Sequence, residues 1–171
     1  MKSYQKVPNK RKVRKDALSR YGLKSIVGLA GPDIKSWLKE CSLLGFNDFT
    51  IYENQMTTAA IQIDTLMNDT NLKLMGNISY NIGDIINSDV ENYKVYDLDF
   101  CKPIDHYEAY IKKFRKNFVL TVSEMQIIRR GFSSIMPFLK FREERLVKET
   151  RITKDQRIVH SNKGGYLFTR Y

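Results

Sequence analysis

A chain of 171 residues has room for one domain and can bury a core without disulfide or metal staples. Apolar residues at 42% and charged residues at 28% exclude disorder over the whole length, and no apolar run is long enough for a membrane span. Two cysteines (Cys41, Cys101) and two histidines (His106, His160) exclude a disulfide framework and a His/Cys metal cluster, so no metal site is expected.

The net charge of +10 is uneven: residues 1–24 hold nine Lys/Arg and one acid, and residues 151–171 hold five basic residues and one acid. The body between them is close to neutral. No apolar segment follows Met1-Lys2, so no secretory signal is expected, and a cytoplasmic setting follows. The run Lys10-Arg11-Lys12-Val13-Arg14-Lys15 suits a phosphate-contacting arm or a solvated tail.

Residues 1–23 lack a clear period and are expected to be a basic flexible arm, leaving 24–171 as the folded domain. Ser25–Ala30 is a short apolar run ending at Gly31-Pro32, a buried strand and a turn. Asp33 stands at a helix N-cap position. Ile34, Trp37, Leu38, Cys41 and Leu44 then follow at helical spacing, and Gly45 closes the helix. Phe49–Tyr52 predicts a second strand, followed by Glu53. A helix over about 55–69 is predicted with Met56, Ala60, Ile63 and Met67 on its buried face. Asn77–Ile82 is a third strand ending at Gly83-Asp84. Tyr93–Tyr96 leads a fourth into Asp97-Leu98-Asp99-Phe100-Cys101.

Tyr107, Tyr110, Ile111 and Phe114 mark a helical face over about 104–117, and Phe118–Val122 a fifth strand. A longer helix is expected from about 124 to 148, kinked at Pro137. Alternation over 151–171, broken at Asn162-Lys163-Gly164-Gly165, predicts an antiparallel hairpin. Strands alternating with helices imply an α/β fold: five parallel strands with helices on both faces, then a C-terminal antiparallel hairpin.

In such a sheet a ligand sits beyond the carboxyl ends of the strands. Four of the five strand ends carry acids: Glu53, Asp84, Asp97 with Asp99, and Glu124. The first carries the small-residue loop Gly28-Leu29-Ala30-Gly31-Pro32-Asp33, which suits close backbone approach of a ligand. It is neither G-x-G-x-x-G nor a P-loop. Asp33 would repel a pyrophosphate, so a nucleoside bearing a positive charge is the better guest.

Over roughly residues 24–171 the chain resembles the Rossmann-like class I S-adenosylmethionine-dependent methyltransferases. Val27-Gly28-Leu29-Ala30-Gly31-Pro32-Asp33 is similar to a D-L-x-A-G-P-G form of the family's first motif, with Val27 at the acid position and Asp33 at the last glycine. Glu53 matches the acid that holds the ribose hydroxyls. Gly83-Asp84-Ile85 matches the segment against the adenine. Asp97-Leu98-Asp99-Phe100 occupies the position of the fourth motif, without the prolines of amino-methylating enzymes.

The resemblance implies S-adenosylmethionine as cofactor, with Gly28, Ala30, Gly31, Glu53, Asp84 and Ile85 around it. It implies Asp97, Asp99 and Phe100 at the acceptor, the acids accepting the N–H protons of an amino nitrogen and the ring stacking on an extruded base. Two functions follow. One is a nucleic-acid methyltransferase that grips phosphates with the N-terminal arm and the C-terminal hairpin, with a protein partner for target selection. The other is a catalytically inactive methyltransferase-like fold serving as a nucleic-acid-binding or structural subunit.

Overall fold

A computed structural model of the chain describes residues 14–99, 106–114, 117–123, 158–160 and 163–170. The elements in chain order are helix α1 (14–18), strand β1 (Ser25–Gly28), helix α2 (Ile34–Leu43), β2 (Asp48–Glu53), α3 (Met56–Asn68), α4 (Thr70–Lys73), β3 (Asn77–Ile82), a 3-10 turn (Ile85–Asn87), β4 (Val95–Asp99), α5 (Glu108–Ile111), β5 (Phe118–Ser123), β6 (Ile158–His160) and β7 (Lys163–Arg170). The sheet order is β3-β2-β1-β4-β5-β7-β6. The first five strands are parallel, and the order reverses between β1 and β4. Gly165 pairs with both Ser123 and Ile158, which places Gly164 and Gly165 inside β7 rather than in the expected turn. The expected helix over 124–148, with Pro137, lies outside the described residues.

The two faces of the sheet bury separate cores. On one face Ile26, Phe49, Ile51, Val95 and Val119 meet Trp37, Leu38 and Cys41 of α2 and Leu72 of α4. On the other, Val27, Tyr96, Leu98, Phe118 and Leu120 meet Tyr107, Tyr110, Ile111 and Phe114. Among the described residues the helix expected over 104–117 is an α-helix only over Glu108–Ile111, yet its four apolar residues face the sheet as the pattern required.

Two expectations change. The folded unit extends to residue 14: Arg14, Ala17, Leu18 and Tyr21 recur at helical spacing, all four are buried, and the Tyr21 hydroxyl donates to the Phe118 carbonyl at 2.9 Å. The buried face of α3 is also rotated. Met56 and Met67 are both 68% exposed and Ala60 faces solvent, whereas Ala59 and Gln62 are buried. The physical reason is polar. Gln62 donates through Nε2 to the Gly31 carbonyl and accepts the Tyr80 hydroxyl at Oε1, so its side chain must point inward.

Gly28 ends β1 directly beneath Trp37. A Cβ built there would lie 2.3 Å from Trp37 Cζ2. The ring cannot swing aside freely, because its Nε1 donates to Asp97 Oδ2 at 2.8 Å. Gly28→Ala should therefore cost about 1–3 kcal/mol of stability through overpacking. Urea unfolding measures it, and a cost below about 0.5 kcal/mol, the usual scatter of neutral surface changes, would show that the indole relocates at little expense.

Candidate functional site

The parallel register gathers the expected residues along one edge. Gly28 pairs with Ile51 and Asp97, and Glu53 pairs with Ile82, so the ends of β1, β2, β3 and β4 lie side by side. Beyond β1 the chain enters the small-residue loop, where Gly31 takes φ +64°, the left-handed region that a side chain disfavours. Nothing lies within 4 Å of a Cβ built on Gly31, so the loop surface is open there. Asp33 then caps α2 by accepting from the Ser36 N–H at 3.2 Å.

Glu53 closes β2 half-buried. Its Oε1 accepts the Gln55 N–H at 2.8 Å, which turns the chain into α3. Asp84 follows β3 and caps the 3-10 turn through the Ile86 N–H at 3.3 Å. Asn54 donates to Asp84 Oδ2 at 3.3 Å, and the Gly83 N–H donates to the Glu53 carbonyl at 2.9 Å. The second and third strand ends are thus tied together around two carboxylates. Tyr80, on the strand that leads to Asp84, has its pKa pushed up to about 12 by burial and by the nearby Glu53 charge.

Ala30 and Ile85 contribute differently. Both side chains are buried, Ala30 in the core with α2 and Ile85 in the core with α5. At these positions only the backbone is offered to a ligand. The space over Gly28 is filled by the Trp37 indole, so this glycine answers to packing.

Asp97 sits deeper than a rim residue: it is 2% exposed. Its Oδ2 accepts from Arg14 Nε at 2.8 Å and from Trp37 Nε1 at 2.8 Å, with Arg14 Nη2 at 2.6 Å. The Arg14 guanidinium also faces Glu40 Oε2 at 3.4 Å and Cys41 Sγ at 3.9 Å. Burial opposes the positive charge of Arg14, but the attractions of Asp97, Cys41 and Asp99 together outweigh it and the pKa is raised. Burial pushes the Cys41 thiol up to about 12, which keeps it protonated and unreactive. Asp97 Oδ1 is buried and has no hydrogen-bond partner among the described residues.

Asp99, two residues on and on the same face of β4, is half-buried at the strand end and adds to the field that Arg14 feels. Phe100 and Cys101 lie outside the described residues.

The structure thus brings the Gly31 loop, Glu53 and Asp84 to neighbouring strand ends and puts Asp97, beside Gly28, in a packed ion pair with Arg14. Three residues central to this arrangement were not among the expected ones. Arg14 was counted with the cationic arm, although Arg14, Ala17, Leu18 and Tyr21 already follow a helical stripe. Trp37 was read as core only, and nothing in the sequence marks its indole N–H. Gln62 is polar on a helix whose apolar residues suggested another face.

The strand order thus switches between β1 and β4, a small-residue loop follows β1, and acids stand after β2 and β3. About 92% of the chain matches 60% of P. horikoshii TYW2 in complex with MeSAdo, at 14% identity and a TM-score of 0.52. M. jannaschii TYW2 in complex with AdoMet is matched over 95% of this chain and 77% of that one, at 13% identity and a TM-score of 0.52. The methyltransferase domain of bacterial CtHen1 is matched over 96% and 97%, at 14% identity and a TM-score of 0.51. The fold is that of the class I S-adenosylmethionine-dependent methyltransferases. No protein-family model matches the chain, and no curated protein does. The chain spans about three fifths of the length of P. horikoshii TYW2. Within the methyltransferase fold, the Arg14–Asp97 pair joins α1 to the strand beside the switch point. No helix among the described residues is long and apolar enough to cross a membrane.

Arg14→Met leaves the Asp97 carboxylate buried without its cation, and should cost about 3–5 kcal/mol. The double variant Arg14→Met/Asp97→Leu should recover at least half of that loss, since an apolar replacement of a buried ion pair is often nearly neutral. Denaturant unfolding of the single and double variants checks the coupling. Additive losses would show that the two side chains do not depend on each other.

Proposed function

We propose that the protein is an S-adenosylmethionine-dependent methyltransferase acting on nucleic acid, with an amino nitrogen of a base as acceptor. What carries this reading is the convergence of the open Gly31 loop, Glu53 and Asp84 on the ends of three adjacent parallel strands in a methyltransferase topology. The residues fit such a cofactor. Glu53 would offer its half-exposed carboxylate to the ribose hydroxyls, Asp84 and the backbone at Ile85 would hold the adenine, and the backbone of Ala30 and Gly31 would hold the methionine portion. Two nearby acids suit a cationic sulfonium better than a pyrophosphate. When bound, the cofactor supplies an electrophilic methyl group on sulfur.

On the acceptor side, Asp97 is committed to Arg14 and Trp37, so Asp99 is the acid at the strand end that accepts the amino N–H hydrogen bonds. With Asp99 holding the amino N–H groups, the amine lone pair would form the new N–C bond as the sulfonium S–C bond breaks, S-adenosylhomocysteine would leave with the bonding pair on sulfur, and the surplus proton would pass to solvent. We further assign Ile158–His160 and Lys163–Arg170 to the fold's reversed terminal hairpin, with Phe100 as the stacking ring. Phosphate contact falls to the termini. Because Arg14 is consumed internally, the cationic arm is residues 1–13, with five basic residues and no acid. A separate protein partner supplies target selection.

A second reading is favoured by one observation, the burial of Asp97 together with the indole over Gly28: a catalytically inactive methyltransferase-like fold acting as a nucleic-acid-binding subunit. Calorimetric titration with S-adenosylhomocysteine separates the two. Glu53→Ala should weaken binding by at least about tenfold, since each charge-assisted hydrogen bond contributes roughly 1.5–3 kcal/mol. Unchanged affinity would remove Glu53 from the site. With labelled cofactor and mixed DNA and RNA, Asp99→Asn should lower methyl incorporation by about 10²-fold or more. Failure of the wild type both to bind and to transfer would support the inactive fold. Deleting residues 1–13, with five basic residues, should flatten the salt dependence of nucleic-acid binding by roughly 3.5–4.5 units of log–log slope, at about 0.7–0.9 per phosphate contact. An unaltered slope would make the arm a solubilising tail.

A further inference from the structure

Gln62 is fully buried in the middle of α3. A polar amide in that place must satisfy its donors and acceptor inside the protein. It does so across three segments. Its Nε2 donates to the Gly31 carbonyl, and its Oε1 accepts the Tyr80 hydroxyl. Gly31 belongs to the loop after β1, Gln62 to the helix that follows Glu53, and Tyr80 to the strand that leads into Gly83-Asp84. Tyr80 also feels the Glu53 charge.

We propose that Gln62 and Tyr80 form a brace that fixes the glycine loop, and that Gln62 is a positioning residue for the cofactor. The inference rests on the cofactor reading above. Gly31 at φ +64° is in a backbone state that an open loop leaves easily. Holding its carbonyl fixes which way the loop's backbone N–H groups point. The same amide links that loop, through Tyr80, to β3, the strand that leads to Asp84. The site is therefore shaped before the ligand arrives, and ordering that would otherwise accompany binding is done during folding. This also accounts for the rotation of α3. Of the stripe Met56-Ala60-Ile63-Met67, Met56, Ala60 and Met67 stay exposed and Ile63 half-buried because Gln62 is held inward.

The test is titration of S-adenosylhomocysteine into the full chain. Gln62→Leu keeps the volume and removes both hydrogen bonds, and Tyr80→Phe removes only the distant one. Gln62→Glu adds a readout that simple packing would not give. A protonated glutamic acid can donate to Gly31 and accept from Tyr80 as the amide does, whereas the ionised form has no donor and repels the carbonyl. Burial raises the pKa of such an acid, so the acid form persists at pH 5 and is lost as pH rises.

Relative to wild type at each pH, Gln62→Glu should bind almost normally near pH 5 and at least tenfold more weakly near pH 8. Gln62→Leu should be weak at both, and Tyr80→Phe intermediate. Should Gln62→Leu fail to fold, the Gln62→Glu and Tyr80→Phe comparison decides alone. Wild-type affinity in all the folded variants, at both pH values, overturns the brace while leaving the cofactor reading intact. A wild type that binds no S-adenosylhomocysteine overturns the cofactor reading, and the positioning role with it.

Discussion

The Arg14 guanidinium under the switch point is the constraint on which the described structure hangs. One cation faces two carboxylates, Asp97 and Glu40, and all three are buried. Desolvating such groups is costly, and the pair is tolerable only because its geometry is close and further donors complete it. Trp37 supplies the added donor to Asp97 Oδ2. The indole is then held over β1, and the residue beneath it must be glycine. A single electrostatic requirement thereby fixes the docking of α1, the rotation of α2 and the identity of the last residue of β1.

The consequence for the site is a division of labour along the strand ends. The ends of β2 and β3 present their acids outward, joined by Asn54 and by the Gly83 N–H. The end of β4 presents its first acid inward. The two sets of strand ends therefore rest on different supports: local caps and the Gln62 contacts at β2 and β3, and a long-range ion pair at β4. Asp97 Oδ1 is buried without a partner among the described residues. An unsatisfied carboxylate oxygen in low dielectric costs free energy, so the ion pair has to offset that cost as well.

Much of this was legible in the sequence because it is periodic. The strands, the stripe Ile34-Trp37-Leu38-Cys41, its Asp33 cap and the acids after β2 and β3 follow from alternation and helical spacing, and the parallel order follows from strand–helix succession. What could not be read is polar and long-range. Arg14 looks like one more charge in a basic run until Asp97, far along the chain, is brought beside it. Gln62 defeats the hydrophobic pattern of α3 because a buried amide with two partners outweighs two exposed methionines. Gly28 suited a ligand cradle, and its actual neighbour is an aromatic ring from the next helix. In each case a tertiary contact overrode a local rule.

The alternation of β4 links the structural and chemical uses of its two acids. Asp97 and Asp99 share a face because side chains repeat every second residue. The first lies within reach of Arg14 and is neutralised. The second is one repeat further toward the rim, half-buried, and still inside the field of the same guanidinium. The two acids therefore serve the strand differently: the inner one is closed into a buried ion pair with Arg14, and the outer one stays half-buried at the strand end.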